Sequence, residues 1–282
     1  MKKFLAPVLY SILFTACGQK IKEKNDEVYS RHLQRKVHVS IVRTPVPNDK
    51  AGVNLLLLND GQDLQAFGIF NIMDSLWKAN RLEPLIVVGI QAEDRTREYG
   101  VSDQPDFQHR GDKAGKYAQF VNDELYSFIK KKTGIRSFKD IAIAGCSQGG
   151  LSAFDIAWDH ADRIDKVGIF SGSFWWRNKD ITDSTYNDDE NRIMLAKVRS
   201  SRKRPKLKYW FYAGDEEEKA DRDKDGVIDV VDDTRDLIAA LEQKKFISNN
   251  DIVLVESPSG THDYSSWKKN LPAFLIWAFG KK

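Results

Sequence analysis

Asp140-Ile141-Ala142-Ile143-Ala144-Gly145-Cys146-Ser147-Gln148-Gly149-Gly150 is the stretch on which the reading of this chain turns. Its apolar start, Ile141-Ala142-Ile143-Ala144, predicts a buried strand, and residues 151–158 behind it predict a helix. Gly145-Cys146-Ser147-Gln148-Gly149 therefore falls on a strand-to-helix turn and matches G-x-S-x-G. A serine on such a turn projects its hydroxyl above the end of a sheet, and small residues must flank it because the strained backbone brings neighbouring segments close. Gly145, Gly149 and Gly150 supply them. The five letters recur by chance in many chains; the placement between strand and helix makes Ser147 the candidate nucleophile.

Working outward, Lys36-Val37-His38-Val39-Ser40-Ile41-Val42 alternates with period two, as a strand with one wet face does. Val53-Asn54-Leu55-Leu56-Leu57-Leu58 and Pro84-Leu85-Ile86-Val87-Val88-Gly89-Ile90 are continuous apolar runs, which fit strands buried on both faces of a parallel sheet. Lys166-Val167-Gly168-Ile169-Phe170, Leu207-Lys208-Tyr209-Trp210-Phe211-Tyr212 and Asp251-Ile252-Val253-Leu254-Val255 continue the series, and helical patterns lie between, clearest at 116–131 and 234–244. Strands alternating with helices predict an α/β fold, a mostly parallel central sheet with helices on both faces. No repeat or composition break divides residues 36–282, so one domain is expected there. Residues 177–206, polar and basic without a strong period, predict a lid or flap.

The chain has 282 residues, of which 41% are hydrophobic, enough for a substantial core. Met1-Lys2-Lys3, the apolar run from Phe4 to Phe14 and Thr15-Ala16-Cys17 read as a charged start, a short apolar region and a small-residue cleavage site, hence a signal peptide over 1–16. A cysteine directly after Thr15-Ala16 resembles the bacterial lipobox, which makes Cys17 the expected lipid-anchored residue and places the protein at the cell envelope, periplasmic or on the surface. The charged stretch 17–35 then reads as a tether. Cys146 is the remaining cysteine, so no intrachain disulfide is expected in the mature domain. The formal net charge is +3, and loss of Lys2 and Lys3 leaves +1, with basic residues dispersed among nearly as many acids. That balance argues against a nucleic-acid partner.

A serine nucleophile needs a base. Of His32, His38, His109, His160 and His262, His262 follows the last predicted strand, where a histidine completes the order serine, acid, histidine. His160 lies on the helix after the turn, too near in sequence to reach back. The acid should come from Gly214-Asp215-Glu216-Glu217-Glu218, among which composition does not choose. An oxyanion hole would combine the N–H of Gln148 with one from Asn59-Asp60-Gly61-Gln62.

Several further marks accompany these: Leu57-Leu58-Asn59-Asp60-Gly61-Gln62, Glu98-Tyr99-Gly100, Arg110-Gly111-Asp112-Lys113-Ala114, Ser171-Gly172-Ser173-Phe174-Trp175-Trp176, and Gly260-Thr261-His262-Asp263 with Trp267. With the serine motif, they make the chain, from about residue 36 onward, resemble the enterochelin-esterase-like branch of the α/β-hydrolases, a group that also holds feruloyl and acetyl-xylan esterases and the mycolyltransferases. The resemblance implies the α/β-hydrolase fold, Ser147 as nucleophile, His262 as base, and the backbone of Gln62 and Gln148 as oxyanion hole. It implies Glu217 as the acid, although the crowded carboxylates leave Asp215 and Glu218 open. Trp175 and Trp176 would border the substrate cleft, or else pack the core. The implied activity is serine-dependent carboxylic-ester hydrolysis outside the cytoplasm, with no cofactor for catalysis, on acylated or feruloylated polysaccharide or a catecholate siderophore ester. The alternative from another class is a non-catalytic, calcium-dependent glycan-binding lipoprotein on the same fold, with Trp175, Trp176 and Trp267 as its sugar platform.

The run from Asp221 to Asp232, Asp221-Arg222-Asp223-Lys224-Asp225-Gly226-Val227-Ile228-Asp229-Val230-Val231-Asp232, fits a D-x-D-x-D-G cation loop with an acid at its twelfth position. Oxygens at alternate positions converge on one hard cation, and glycine at the sixth permits the turn. Asp221, Asp223, Asp225, Asp229 and Asp232 are the expected ligands of a structural Ca2+ that orders the loop carrying Glu217.

Overall fold

The computed structural model describes residues 20–244 and 248–281. Eight strands form one sheet: β1 (Lys22–Ser30), β2 (Arg35–Arg43), β3 (Asn54–Asn59), β4 (Leu85–Ile90), β5 (Ile141–Cys146), β6 (Lys166–Phe170), β7 (Lys208–Gly214) and β8 (Ile252–Ser257). Their spatial order is β1-β2-β4-β3-β5-β6-β7-β8. From β4 to β8 every neighbouring pair is parallel; β1 with β2 and β2 with β4 are antiparallel.

The continuous apolar runs follow from cover on both sides. Leu55, Leu57, Ile143, Val167, Ile169 and Phe211 face one core, beneath the helical stretch of residues 114–133 and the helices Gln148–Asp159, Ile193–Ser200 and Asp229–Glu242. Leu56, Leu58, Ala142, Ala144, Phe170 and Trp210 face the other, beneath Ile69–Lys78 and Tyr264–Phe279. Side chains on a strand alternate between faces, so a strand covered on both sides favours apolar residues at every position between its ends. Because β3 and β5 to β8 run parallel, their C-terminal ends deliver Asn59, Ser147, Ser171, Glu217 and His262 to one edge of the sheet.

Two expectations change. Residues 22–30 are not tether: they form β1, paired with β2 from Lys22↔Arg43 to Ser30↔Arg35, and Ile21 before them is buried. An edge strand is held by backbone hydrogen bonds and stays wet, so Lys-Glu-Lys-Asn-Asp-Glu can occupy it, and charge there discourages pairing with another chain. The folded unit thus begins well before residue 36. The expected signal peptide and Cys17 lie outside the described residues.

Residues 177–206 are fastened rather than loose. Ile193, Met194, Leu195 and Val198 are buried, and the fully buried Arg192 binds Asp233 at 2.6 Å and Asp236 at 2.5 Å. Among the described residues no helix is long and apolar enough to cross a membrane.

Candidate active site

Ser147 sits between β5 and the helix Gln148–Asp159 with φ 54° and ψ −126°, a strained conformation for a residue with a side chain. The surroundings hold it there. Its N–H donates to the Phe170 carbonyl (2.9 Å), and its own carbonyl accepts from Gly150 (3.0 Å), Leu151 (3.1 Å) and Ser173 (3.2 Å). At Gly145 any Cβ would collide with the Gly149 carbonyl, which is why the first position of the motif admits only glycine. Gln148, as the first residue of its helix, has an N–H with no acceptor in the helix and so free for a ligand.

The loop after β3 is bound to this turn. Asn59 Nδ2 donates to the Gly149 carbonyl at 2.7 Å while Asn59 Oδ1 accepts from Tyr117 Oη at 2.7 Å. The Asp60 N–H donates to Tyr99 Oη at 2.9 Å, and Asp60, in the left-handed region at φ 60°, turns the chain into the short helical turn Gly61–Asp63 that carries Gln62. The buried Asp60 carboxylate accepts from Arg95 Nε (2.6 Å), Arg95 Nη2 (3.2 Å) and Gln62 Nε2 (3.0 Å). Burial pushes the Asp60 carboxyl up and Arg95 opposes this. Asn59, Asp60, Arg95, Tyr99 and Tyr117 thus fix the loop bearing Gln62 against the turn bearing Gln148. Asn59, Asp60 and Tyr99 had signals, since all three lie in the quoted marks; Arg95 and Tyr117 had none.

On the other side, His262 Nδ1 lies 2.8 Å from Glu217 Oε2, and the Glu217 side chain is wholly buried. Glu217 Oε1 accepts from Ser171 Oγ and from the Gly214 N–H, each at 2.6 Å. Neighbouring acids are engaged elsewhere. Asp215 accepts from the Ser259 N–H (2.7 Å) and Glu218 from the Val230 N–H (2.8 Å) at the start of the helix Asp229–Glu242. Trp267 donates to Ser171 Oγ at 2.8 Å and presents its ring edge-on to His262, with centroids 5.2 Å apart. No hydrogen bond joins Ser147 Oγ to His262; the serine hydroxyl lies 3.3 Å from Ser173 Oγ. Links of this kind often tighten only with substrate in place.

The tryptophans divide. Trp176 is fully buried, its ring lying where a Cβ on Gly100 or Gly111 would stand, 2.9 Å from each such position; it is core, and Tyr99-Gly100 and Arg110-Gly111 are spaced to receive it. Trp175 is half-buried and stacked under the Arg110 guanidinium at 5.0 Å, so it alone of the pair reaches the surface. With Trp176 and Trp267 both buried, a three-tryptophan sugar platform is not formed. Cys146, beneath the serine, is buried, and desolvation holds its thiol well above the usual range, so it is inert.

In the acidic loop, one carboxylate oxygen each from Asp221, Asp223 and Asp225 lies within 4.8 Å of the others. The Gly226 N–H donates to Asp221 Oδ2 (3.1 Å), and Asp221 Oδ1 is buried without a partner. Asp229 is not a ligand of this group: Arg222 Nη1 binds its Oδ2 at 2.8 Å and the Arg222 N–H its Oδ1 at 2.8 Å. Asp232 stands outside the cluster of three, its carboxyl pushed up to about 6 by burial and by the charges of Asp225 and Asp223.

Residues 30–278 match the family model described as "Putative esterase". The chain belongs to this esterase family. Carboxylic-ester hydrolysis is accordingly its reaction class, and the family requires no catalytic cofactor. Bacillus subtilis (strain 168) protein YbbA is 22% identical over 240 residues, 83% of this chain and 88% of that protein. The enterobactin esterase FES from Shigella flexneri superposes with a TM-score of 0.69 at 23% identity, covering 93% of this chain and 61% of that one. This chain thus spans about three fifths of the enterobactin esterase's length. A feruloyl esterase module from Clostridium thermocellum, solved with sinapinate, gives 0.63 at 15% identity over 93% and 89% of the two chains. At these identities the solved structures establish the α/β-hydrolase fold.

Proposed function

We propose that this esterase works through a Ser147–His262–Glu217 triad and an acyl-enzyme. The observation that carries the reading is the buried Glu217 carboxylate, hydrogen-bonded to His262 Nδ1 at 2.8 Å on the same sheet edge as a serine with φ 54°. A carboxylate on Nδ1 keeps the proton there and leaves Nε2 free to take the Ser147 proton. The serine oxygen attacks the ester carbonyl, the N–H groups of Gln62 and Gln148 receive the oxyanion, and His262 returns the proton to the leaving alcohol. Water, activated by the same histidine, then releases the acid.

The substrate class we infer is an acylated or feruloylated polysaccharide or a catecholate siderophore ester. The supporting facts are the likeness to an enterobactin esterase and a feruloyl esterase module and the half-buried ring of Trp175, an aromatic face suited to a phenolic ring, held under an Arg110 that is itself paired with the buried Asp106. Hydrolysis of methyl ferulate, acetylated xylan and a catecholate trilactone, each with Ser147→Ala alongside, tests both parts. Serine-dependent turnover of one of them assigns the class, and hydrolysis retained in Ser147→Ala refutes the mechanism. An anchor on Cys17 at the cell envelope belongs to the same reading; incorporation of labelled palmitate that survives Cys17→Ala would refute it.

We further propose that Asp221, Asp223 and Asp225 hold a structural Ca2+, with Asp232 drawn in as its charge is neutralised. The buried, unpartnered Asp221 Oδ1 supports this, since a carboxylate oxygen out of water needs a donor or a cation. Calorimetry with millimolar Ca2+ showing no heat of binding would refute it.

A further inference from the structure

Ser171-Gly172-Ser173 leaves the end of β6, the strand lying between β5, which carries the nucleophile, and β7, which leads to the acid. Both serines are buried, and neither takes part in the proton transfers proposed for Ser147, His262 and Glu217. We propose that this tripeptide is a two-armed positioning element, in which Ser171 orients Glu217 and Ser173 orients Ser147. The inference rests on the triad reading and deepens it.

The first arm follows from proton counting. Trp267 Nε1 is a donor only, so at 2.8 Å it occupies Ser171 Oγ as an acceptor, and the single hydroxyl proton of Ser171 goes to Glu217 Oε1 at 2.6 Å. The carboxylate is then held at both ends, with Ser171 and the Gly214 N–H on Oε1 and His262 on Oε2. Ser171 is itself at φ 52°, a left-handed conformation uncommon outside glycine, as found where the surrounding structure over-determines a functional residue.

The second arm is simpler. Ser173 Oγ has Ser147 Oγ, 3.3 Å away, as its one hydrogen-bond partner among the described residues, and the Ser173 N–H is bonded to the Ser147 carbonyl at 3.2 Å. Ser147 must spend its own proton on His262 to react, so Ser173 is the donor of the pair. As that proton moves to Nε2, negative charge grows on Ser147 Oγ and the donated hydrogen bond strengthens. No bond is made or broken at Ser173. The adjacent turns of one short segment thus set the spacing between the two ends of the triad, across the width of a single strand.

The titratable groups near this machinery are Tyr212 and Cys146 beside Glu217, and Glu218 and Asp263 beside His262; the variants below leave all four in place. The test is hydrolysis of p-nitrophenyl acetate by the full chain across about pH 5 to 9, the range in which a histidine base titrates, with thermal melting of each variant. Ser173→Ala is expected to lower kcat/KM roughly tenfold, the scale of one hydrogen bond to the reacting oxygen, with the acid limb of the profile unmoved. Ser173→Thr should restore most of it. Ser171→Ala is expected to move the acid limb to higher pH, because a carboxylate that accepts one bond fewer binds the histidine proton more strongly. Full activity in Ser173→Ala, or equal losses in the Ala and Thr variants, would overturn the nucleophile arm; an unmoved limb in Ser171→Ala would overturn the acid arm. Should Ser173→Ala lack a wild-type melting transition, Ser173→Cys keeps the volume with a poorer donor, and fluorophosphonate labelling as fast as in the wild type would count against the proposal. Hydrolysis persisting in Ser147→Ala would instead strike the triad reading beneath it.

Discussion

Replacing Glu217 by glutamine tests the acid with least disturbance, because the two side chains have the same shape. In Glu217→Gln the amide oxygen can still accept from Ser171 and the Gly214 N–H, which leaves the NH2 group facing His262 Nδ1 across the present 2.8 Å. That group is a donor, so Nδ1 must become the acceptor and the ring proton moves to Nε2. The base is then blocked toward Ser147. A triad forced into the wrong tautomer loses roughly 10⁴-fold in kcat, or about 5 kcal/mol of barrier. His262 is about two-fifths exposed, with 39% of its side chain accessible, so water can hold part of the active tautomer. We therefore expect a loss on the order of 10³-fold. The folded state should lose only about 1–2 kcal/mol, since the remaining bonds to Oε1 are kept. The assay is initial-rate hydrolysis of p-nitrophenyl acetate, with Asp215→Asn and Glu218→Gln in parallel, both expected to stay close to wild type because their carboxylates bond to Ser259 and Val230 instead. Glu217→Gln within a few-fold of wild type, with Glu218→Gln inactive, would refute the assignment.

Gly145→Ala should cost about 1–3 kcal/mol of stability as well as activity, since its methyl has no room beside the Gly149 carbonyl; urea unfolding measures it, and a neutral result would contradict the packing described. Arg192→Met removes the buried partner of Asp233, which keeps Arg222, so we expect the lower end of the cost of breaking a buried pair, roughly 3 kcal/mol, seen as a fall in melting temperature. Calcium at one hundred times its Kd should raise stability by about 2.7 kcal/mol, and Asp223→Asn should abolish the rise. For Asp232 the sign runs against the usual carboxylate. Its folded-state pKa of about 6 lies above the ordinary 3.8, so its ionisation costs stability above pH about 6 and that cost is relieved as the pH falls toward 4. Asp232→Asn should flatten this part of the metal-free stability curve, and a curve unchanged by the substitution would show that Asp232 does not carry it.

The sequence by itself determined what depends on neighbours along the chain. Apolar runs such as Leu55 to Leu58 fit strands covered on both faces, and G-x-S-x-G after Ile141-Ala142-Ile143-Ala144 fits a turn whose glycines make room for its backbone. Order along the chain likewise picked out His262. Where backbone pairing alone holds an element, that reasoning failed: β1 is polar because an edge strand needs no apolar face, and it passed for a tether. Composition could not choose among Asp215, Glu216, Glu217 and Glu218, since which of four consecutive carboxylates points at an imidazole depends on how the chain leaves β7. The cation loop shows the same limit, because Asp229 has ligand spacing but is taken by Arg222. Only the fold also separated Trp176 from Trp175, by filling the space above Gly100 and Gly111 with one ring and leaving the other half-buried. Local pattern reports a residue's demand for water or cover, whereas partners far apart in sequence are set by the packing of strands side by side, and that is known only once the sheet is assembled.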